Sequence, residues 1–228
     1  MIAFSLLLMS CISFADVSVP DYDWSVADVS QRNISKESMF QAMDRKYIKL
    51  GSSICANRAL MWVKDFKMKY NVDAAKIFLF YTSKSNGAGN KQWWYHVAPV
   101  VADKGELFVM DAGFSYIKGP QKIQEWLATF NRVPNCKEIS ANDSDLVQLM
   151  NEAHQFPTQT QHGNYNCYYK VVPAGLWFPY SVAASLSGEN IPNEIQANQV
   201  YSACIEAVTT SLGRVFGGGK KTCRKYLE

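Results

Sequence analysis

The sequence points to an α+β domain in which a small antiparallel sheet packs on a helix with a cysteine in its first turn, and further helices are stapled on by disulfides. Three observations lead there. Apolar residues at Ala56, Leu60, Val63, Phe66 and Tyr70 recur at helical spacing directly after Gly51-Ser-Ser-Ile-Cys55. Two strand-like runs, 93–102 and 106–111, flank Asp103-Lys104-Gly105, which has the composition of a tight hairpin turn. From residue 136 on, the pattern turns helical and gathers four cysteines.

The chain of 228 residues is of single-domain size, and 48% hydrophobic against 19% charged residues is the balance of a globular protein with a real core. A net charge of +3 with no basic run gives no electrostatic footprint for nucleic acid. Residues 1–15 form an apolar stretch too short to span a bilayer, and Ser13 and Ala15 supply the small residues of a cleavage site, so 1–15 reads as a signal peptide without a basic residue before its apolar run. Leu8 to Cys11 also has the outline of a lipoprotein box, with Met9 atypical. Cleavage leaves 16–228 as one catalytic domain, with a core at about 36–136 and a helical part at about 137–228, in a secreted or periplasmic protein that has no further contact with the membrane.

Export changes the meaning of the cysteines, because disulfides persist outside the cytosol. Cys55, Cys136, Cys167, Cys204 and Cys223 remain after cleavage. Five is odd, so one thiol stays reduced or reacts. Cys55 is separated from the other four, which make up two bridges of open connectivity.

In chain order, 16–35 is an extended lead-in, and a short helix runs through Met39, Met43 and Tyr47. The Cys55 helix follows, with Ser52 or Ser53 as its N-cap. Residues 76–81 form a strand, and 82–92 a polar loop. Pro99 inside the next strand argues for an edge position or a bulge, and Pro120 suits the first turn of a helix reaching about Asn131. Residues 145–156 and 193–216 are helical in pattern.

A first-turn cysteine gains thiolate stabilisation from the unpaired N–H groups and partial positive charge of the helix end, and its own N–H can serve an oxyanion hole. A buried inert cysteine is the plain alternative. His96 shifts that balance. It stands in Trp93-Trp94-Tyr95-His96-Val97-Ala98, a strand with almost no other polar group. A two-residue turn at Lys104-Gly105 pairs Asp103 with Glu106, which puts Ala98 opposite Asp111 and makes His96 and Asp111 diagonal neighbours on one face. A four-residue loop puts them directly opposite, whereas a three-residue loop separates them unless a bulge restores the phase. Nucleophile, base and orienter are then Cys55, His96 and Asp111, with Asp103 as the first alternative for the third position. Trp93, Trp94 and Tyr95 are candidates for walling a substrate side chain. His154 and His162 read as surface residues, and no histidine or cysteine spacing suggests a zinc site.

These segments, Ser53-Ile-Cys55-Ala-Asn-Arg58-Ala59 opening a helix, Tyr95-His96-Val97-Ala98 on a strand and Val109-Met-Asp111 ending the next, resemble the bacterial protein glutaminases. The resemblance spans roughly 51–136, with Tyr-His-Val-Ala as its most specific element. It implies a papain- and transglutaminase-like core, the same three residues as catalytic triad, no cofactor, and a monomer that hydrolyses glutamine side-chain amides in proteins or peptides through a cysteine thioester. The chain departs from that family in carrying Ala112-Gly113 after the aspartate, where the family typically has proline and serine. Its lead-in is also too short for a long inhibitory pro-region. A transglutaminase or papain-like peptidase would use the same triad, and an inert secreted binding module would keep only the fold.

Overall fold

The computed structural model describes residues 17–18, 25–50, 55–81, 95–130, 135–143, 165–176 and 182. The leader, the cap segment 51–54, Trp93 and Trp94, both C-terminal helices, His154, His162, Cys204 and Cys223 lie outside the described residues.

The architecture mixes a six-stranded sheet with three helices among the described residues. Its strands are β3 (Ala75–Tyr81), β4 (Tyr95–Asp103), β5 (Glu106–Val109), β6 (Gln121–Lys122), β7 (Cys136–Glu138) and β8 (Cys167–Val172), in the order β6-β5-β4-β3-β8-β7. A separate two-stranded ribbon joins β1 (Val17–Ser18) to β2 (Ser25–Val26). The pairing expected to be antiparallel throughout is so only as far as β8, because β7 and β8 run parallel. No described helix is long and apolar enough to cross a membrane.

At the centre, Ile77-Phe-Leu-Phe80 of β3 is fully buried. A strand covered on both faces has no reason to alternate polar and apolar residues, which is why this one reads as a continuous apolar run. Helix α2 (Cys55–Tyr70) packs on β3 and β4. Bonds to the segment before it hold it in place: Tyr47 Oη donates to Asp65 Oδ2 at 3.1 Å, and Trp62 Nε1 donates to the Asp44 carbonyl at 3.1 Å. Asn71, with φ 53°, ends α2 by donating its N–H to the Lys67 carbonyl at 2.9 Å, a left-handed cap.

The hairpin takes the two-residue register: Asp103 pairs with Glu106 and Val100 with Val109, and Lys104 and Gly105 have φ 54° and 78°. Asp28 secures the turn by accepting from Lys104 N at 3.1 Å and Gly105 N at 2.8 Å. Pro99 corrects one expectation, since it lies on an interior strand between β3 and β5 with no bulge in the register. Met110 N donates to the Pro99 carbonyl at 2.8 Å, but Pro99 has no N–H to return the second bond, so the β4–β5 ladder stops there.

Two other boundaries differ. The first helix, α1 (Lys36–Gln41), is shorter than expected and gives way to a 3-10 turn at Arg45–Leu50. Pro120 does not open a helix either: Gln121–Lys122 pairs with β5 first, and α3 (Ile123–Phe130) begins where Glu125 reaches back to the Lys122 N–H at 3.1 Å.

Cys136 and Cys167 form a disulfide across β7 and β8, closing a sequence separation of 31. Loop-closure entropy gives such a bridge a stabilisation of about 3–4 kcal/mol. Reducing it, or replacing both residues by serine, is expected to lower the denaturant midpoint accordingly. An unchanged midpoint would show that the strand pair holds without the covalent link.

Candidate active site

Cys55, His96 and Asp111 come from three elements and meet at one point. Cys55 is the first residue of α2, is buried, and is the free cysteine among the described residues. His96 is the second residue of β4, and Asp111 follows β5, each 1% exposed. His96 Nε2 lies 2.9 Å from Asp111 Oδ2, the diagonal contact that the two-residue turn requires. With Nε2 on the carboxylate, Nδ1 is the ring nitrogen left for proton transfer, and the Cys55 and His96 charges favour one another electrostatically. Asp103, the alternative orienter, is tied to Lys36 instead.

Asp111 is held from three directions. Trp126 Nε1 donates to Oδ2 at 3.0 Å, and Gly113 N donates to Oδ1 at 3.0 Å. Burial would push this carboxyl up, but His96, Trp126 and Gly113 hold it below the usual carboxylate range. Around the imidazole, Phe114 stands edge-on at 5.2 Å, Trp126 is stacked at 5.9 Å and Phe130 is tilted at 5.5 Å. These rings exclude water from the His96–Asp111 contact and so strengthen it.

Burial also opposes ionisation of both Cys55 and His96, and in both cases the partners prevail. His96, Arg58 and the Val97 N–H hold the thiol below its ordinary range, while Asp111 and Cys55 raise the imidazole to about 9. The two directions favour a thiolate–imidazolium pair. Arg58, one turn along α2 and buried, supports the same charge state. A Cβ added at Gly113 would stand 3.0 Å from Asp111 Oδ1 and 3.7 Å from the Arg58 guanidinium, so the chain passes closely between them. Alanine there would require the Asp111 carboxylate to move.

Several of these partners carry little signal in sequence. Trp126 has only helical periodicity to mark it, and Phe114 looks like any loop aromatic. Arg58 was visible inside the helix-opening segment without a role attached. Tyr95, half-buried at the start of β4, stacks on Phe78 at 6.1 Å, a packing contact.

Residues 29–130, which contain all three candidates, match a family described as glutaminase. This segment is similar to the glutaminases. The resemblance found in the helix, strand and hairpin motifs is thereby borne out, and glutaminases are amidohydrolases. No curated protein matches the chain. Among solved structures, the protein-glutaminase from Chryseobacterium proteolyticum aligns with 16% identity over 81% of this chain and 89% of its own, with a TM-score of 0.42.

Proposed function

We propose that the chain is a secreted protein glutaminase that uses Cys55 as nucleophile, His96 as general acid and base, and Asp111 as the group that fixes the imidazole, in a papain/transglutaminase-like core. The observation that carries this reading is the convergence of a helix-capped thiol, an imidazole and a carboxylate inside the segment that matches the glutaminase family.

The thiolate attacks the carboxamide carbon of a glutamine side chain, and the resulting oxyanion is met by the Cys55 N–H at the α2 N-terminus. As the C–N bond breaks, imidazolium gives its proton to the departing ammonia, leaving a thioester. Water then loses a proton to neutral His96 as it adds to the thioester carbon, and the thiolate leaves. Glutamate and the resting ion pair are restored. The Cys136–Cys167 bridge fits an oxidising compartment.

Ammonia release from casein or from a blocked Gln-Gly dipeptide, run with and without added amine, tests the reading. Release that is independent of amine supports hydrolysis, amine incorporation would indicate a transglutaminase, and no reaction with either substrate would overturn the assignment.

The pH profile follows from the pair. On the acid side turnover falls as the thiolate is protonated, at a pH below the ordinary thiol value. On the alkaline side it falls near 9, where the imidazolium loses the proton that the leaving ammonia needs. A profile still rising through pH 9 would contradict the ion pair.

A further inference from the structure

Tyr116 is 51% exposed, one of two large hydrophobic side chains open to solvent among the described residues. A single exposed ring is ordinary surface. This one is set apart by what it leans on. Its ring stacks on Phe114 at 5.2 Å, and Phe114 in turn stands edge-on to the His96 imidazole at 5.2 Å. A ring-to-ring path therefore runs from solvent to the imidazole, and Phe130 braces its middle member at 5.3 Å.

The backbone presents Tyr116 from a fixed position. On one side of it the Gly113 N–H is bonded to Asp111 Oδ1 at 3.0 Å. On the other, Ile117 is buried and donates its N–H to the Phe114 carbonyl at 3.2 Å, and Gln41 Nε2 donates to the Lys118 carbonyl at 3.4 Å. A ring on a chain pinned at both ends loses little freedom when something packs on it. Residues 112–117 are uncharged, and partial burial together with the Asp111 charge raises the Tyr116 phenol.

What has to meet this ring follows from how closed the site is. His96 and Asp111 are each 1% exposed and Cys55 is 9% exposed, so a substrate can offer the sulfur one slim side chain while the peptide that carries it stays at the surface. Tyr116 is at that surface, two contacts from the imidazole.

Resting on the reading of the site as one that takes a glutamine side chain from a protein, we propose that Tyr116, backed by Phe114, is a specificity-determining residue that receives an apolar or aromatic side chain next to that glutamine. Ring-on-ring packing favours such a neighbour, whereas a carboxylate would be set against the electron-rich face of the ring.

The test compares acetyl-Phe-Gln-Gly-amide and acetyl-Gly-Gln-Phe-amide with acetyl-Gly-Gln-Gly-amide. In the parent, phenylalanine on at least one side is expected to raise kcat/KM for ammonia release by about three- to tenfold, through KM, the weight of one aromatic contact. Tyr116→Ala should bring that ratio to about one, and Tyr116→Phe should retain it. No preference in the parent, or a preference that survives Tyr116→Ala, would overturn the proposal.

A second measurement needs no turnover. On Cys55→Ala protein, NMR titration with the preferred phenylalanine peptide should show affinity about three- to tenfold weaker once Tyr116→Ala is added. Absent binding, or an affinity indifferent to Tyr116, would likewise overturn the proposal. No ammonia release alongside Tyr116-dependent binding would defeat the glutaminase reading and leave this ring as a binding residue.

Discussion

Cys55→Ala should abolish ammonia release, lowering turnover by about four orders of magnitude or more, as removal of a covalent nucleophile does in triad hydrolases. The fold should survive. Cys55 begins α2 rather than sitting at its packing centre, and the helix is fixed further along by Tyr47, Asp44 and the cap at Asn71. Cys55→Ser should behave similarly, because a hydroxyl in the same place has a far higher pKa and forms no comparable anion. Circular dichroism and a denaturant midpoint within about 1–2 kcal/mol of the parent would establish that the loss is chemical, the range expected for a small substitution away from a large cavity. Substantial release by folded Cys55→Ala would remove Cys55 from the mechanism.

Asp111→Asn is the second large effect, and the geometry makes it more severe than a change of tautomer alone. One oxygen accepts from both His96 Nε2 and Trp126 Nε1, and the other accepts from the Gly113 N–H. An amide has a single oxygen. Whichever way it turns, its NH2 faces a donor, leaving a buried group unsatisfied at about 1–3 kcal/mol. If the amide oxygen faces Gly113, its NH2 meets the imidazole and favours the tautomer with the proton toward the thiol, which is the wrong one for a base. In serine hydrolases that error costs about four orders of magnitude in turnover. A thiol depends less on its base, so a loss of about two to three orders is expected, with KM little changed and the alkylation midpoint of Cys55 moved upward. Parent-like turnover in a folded Asp111→Asn protein would show that the carboxylate only ties down the chain.

The parts of this site that sequence revealed were those governed by short-range rules. Lys104-Gly105 selects a two-residue turn, the turn fixes the register, and the register alone places His96 beside Asp111. The cysteine's position in α2 followed from a helical period, and β3 from its length and β-branched and aromatic content. What stayed hidden depends on partners far apart in the chain. Nothing near Trp126 says that its indole will meet a carboxylate fifteen residues upstream. The sequence between β7 and β8 reads as helical over 145–156, but nothing in it announces that the two strands will pair in parallel, and Pro120 obeyed its turn preference while Gln121 and Lys122 were drawn into the sheet first.

The order of the sheet also bears on how the protein can be divided. The family match ends at residue 130, yet β3 is paired on its far side with β8, which ends at Val172. A fragment cut to the matched segment would keep Cys55, His96 and Asp111 but expose the backbone of Ile77-Phe-Leu-Phe80 along an entire flank. Such an apolar border is the template on which chains add to one another as fibrils. At its start, the same fragment would lose Asp28 and with it the clamp on the Lys104-Gly105 turn. A soluble unit is therefore expected to extend on both sides of the segments that carry Cys55, His96 and Asp111, and removal of 135–172 is expected to yield precipitate rather than a smaller folded protein.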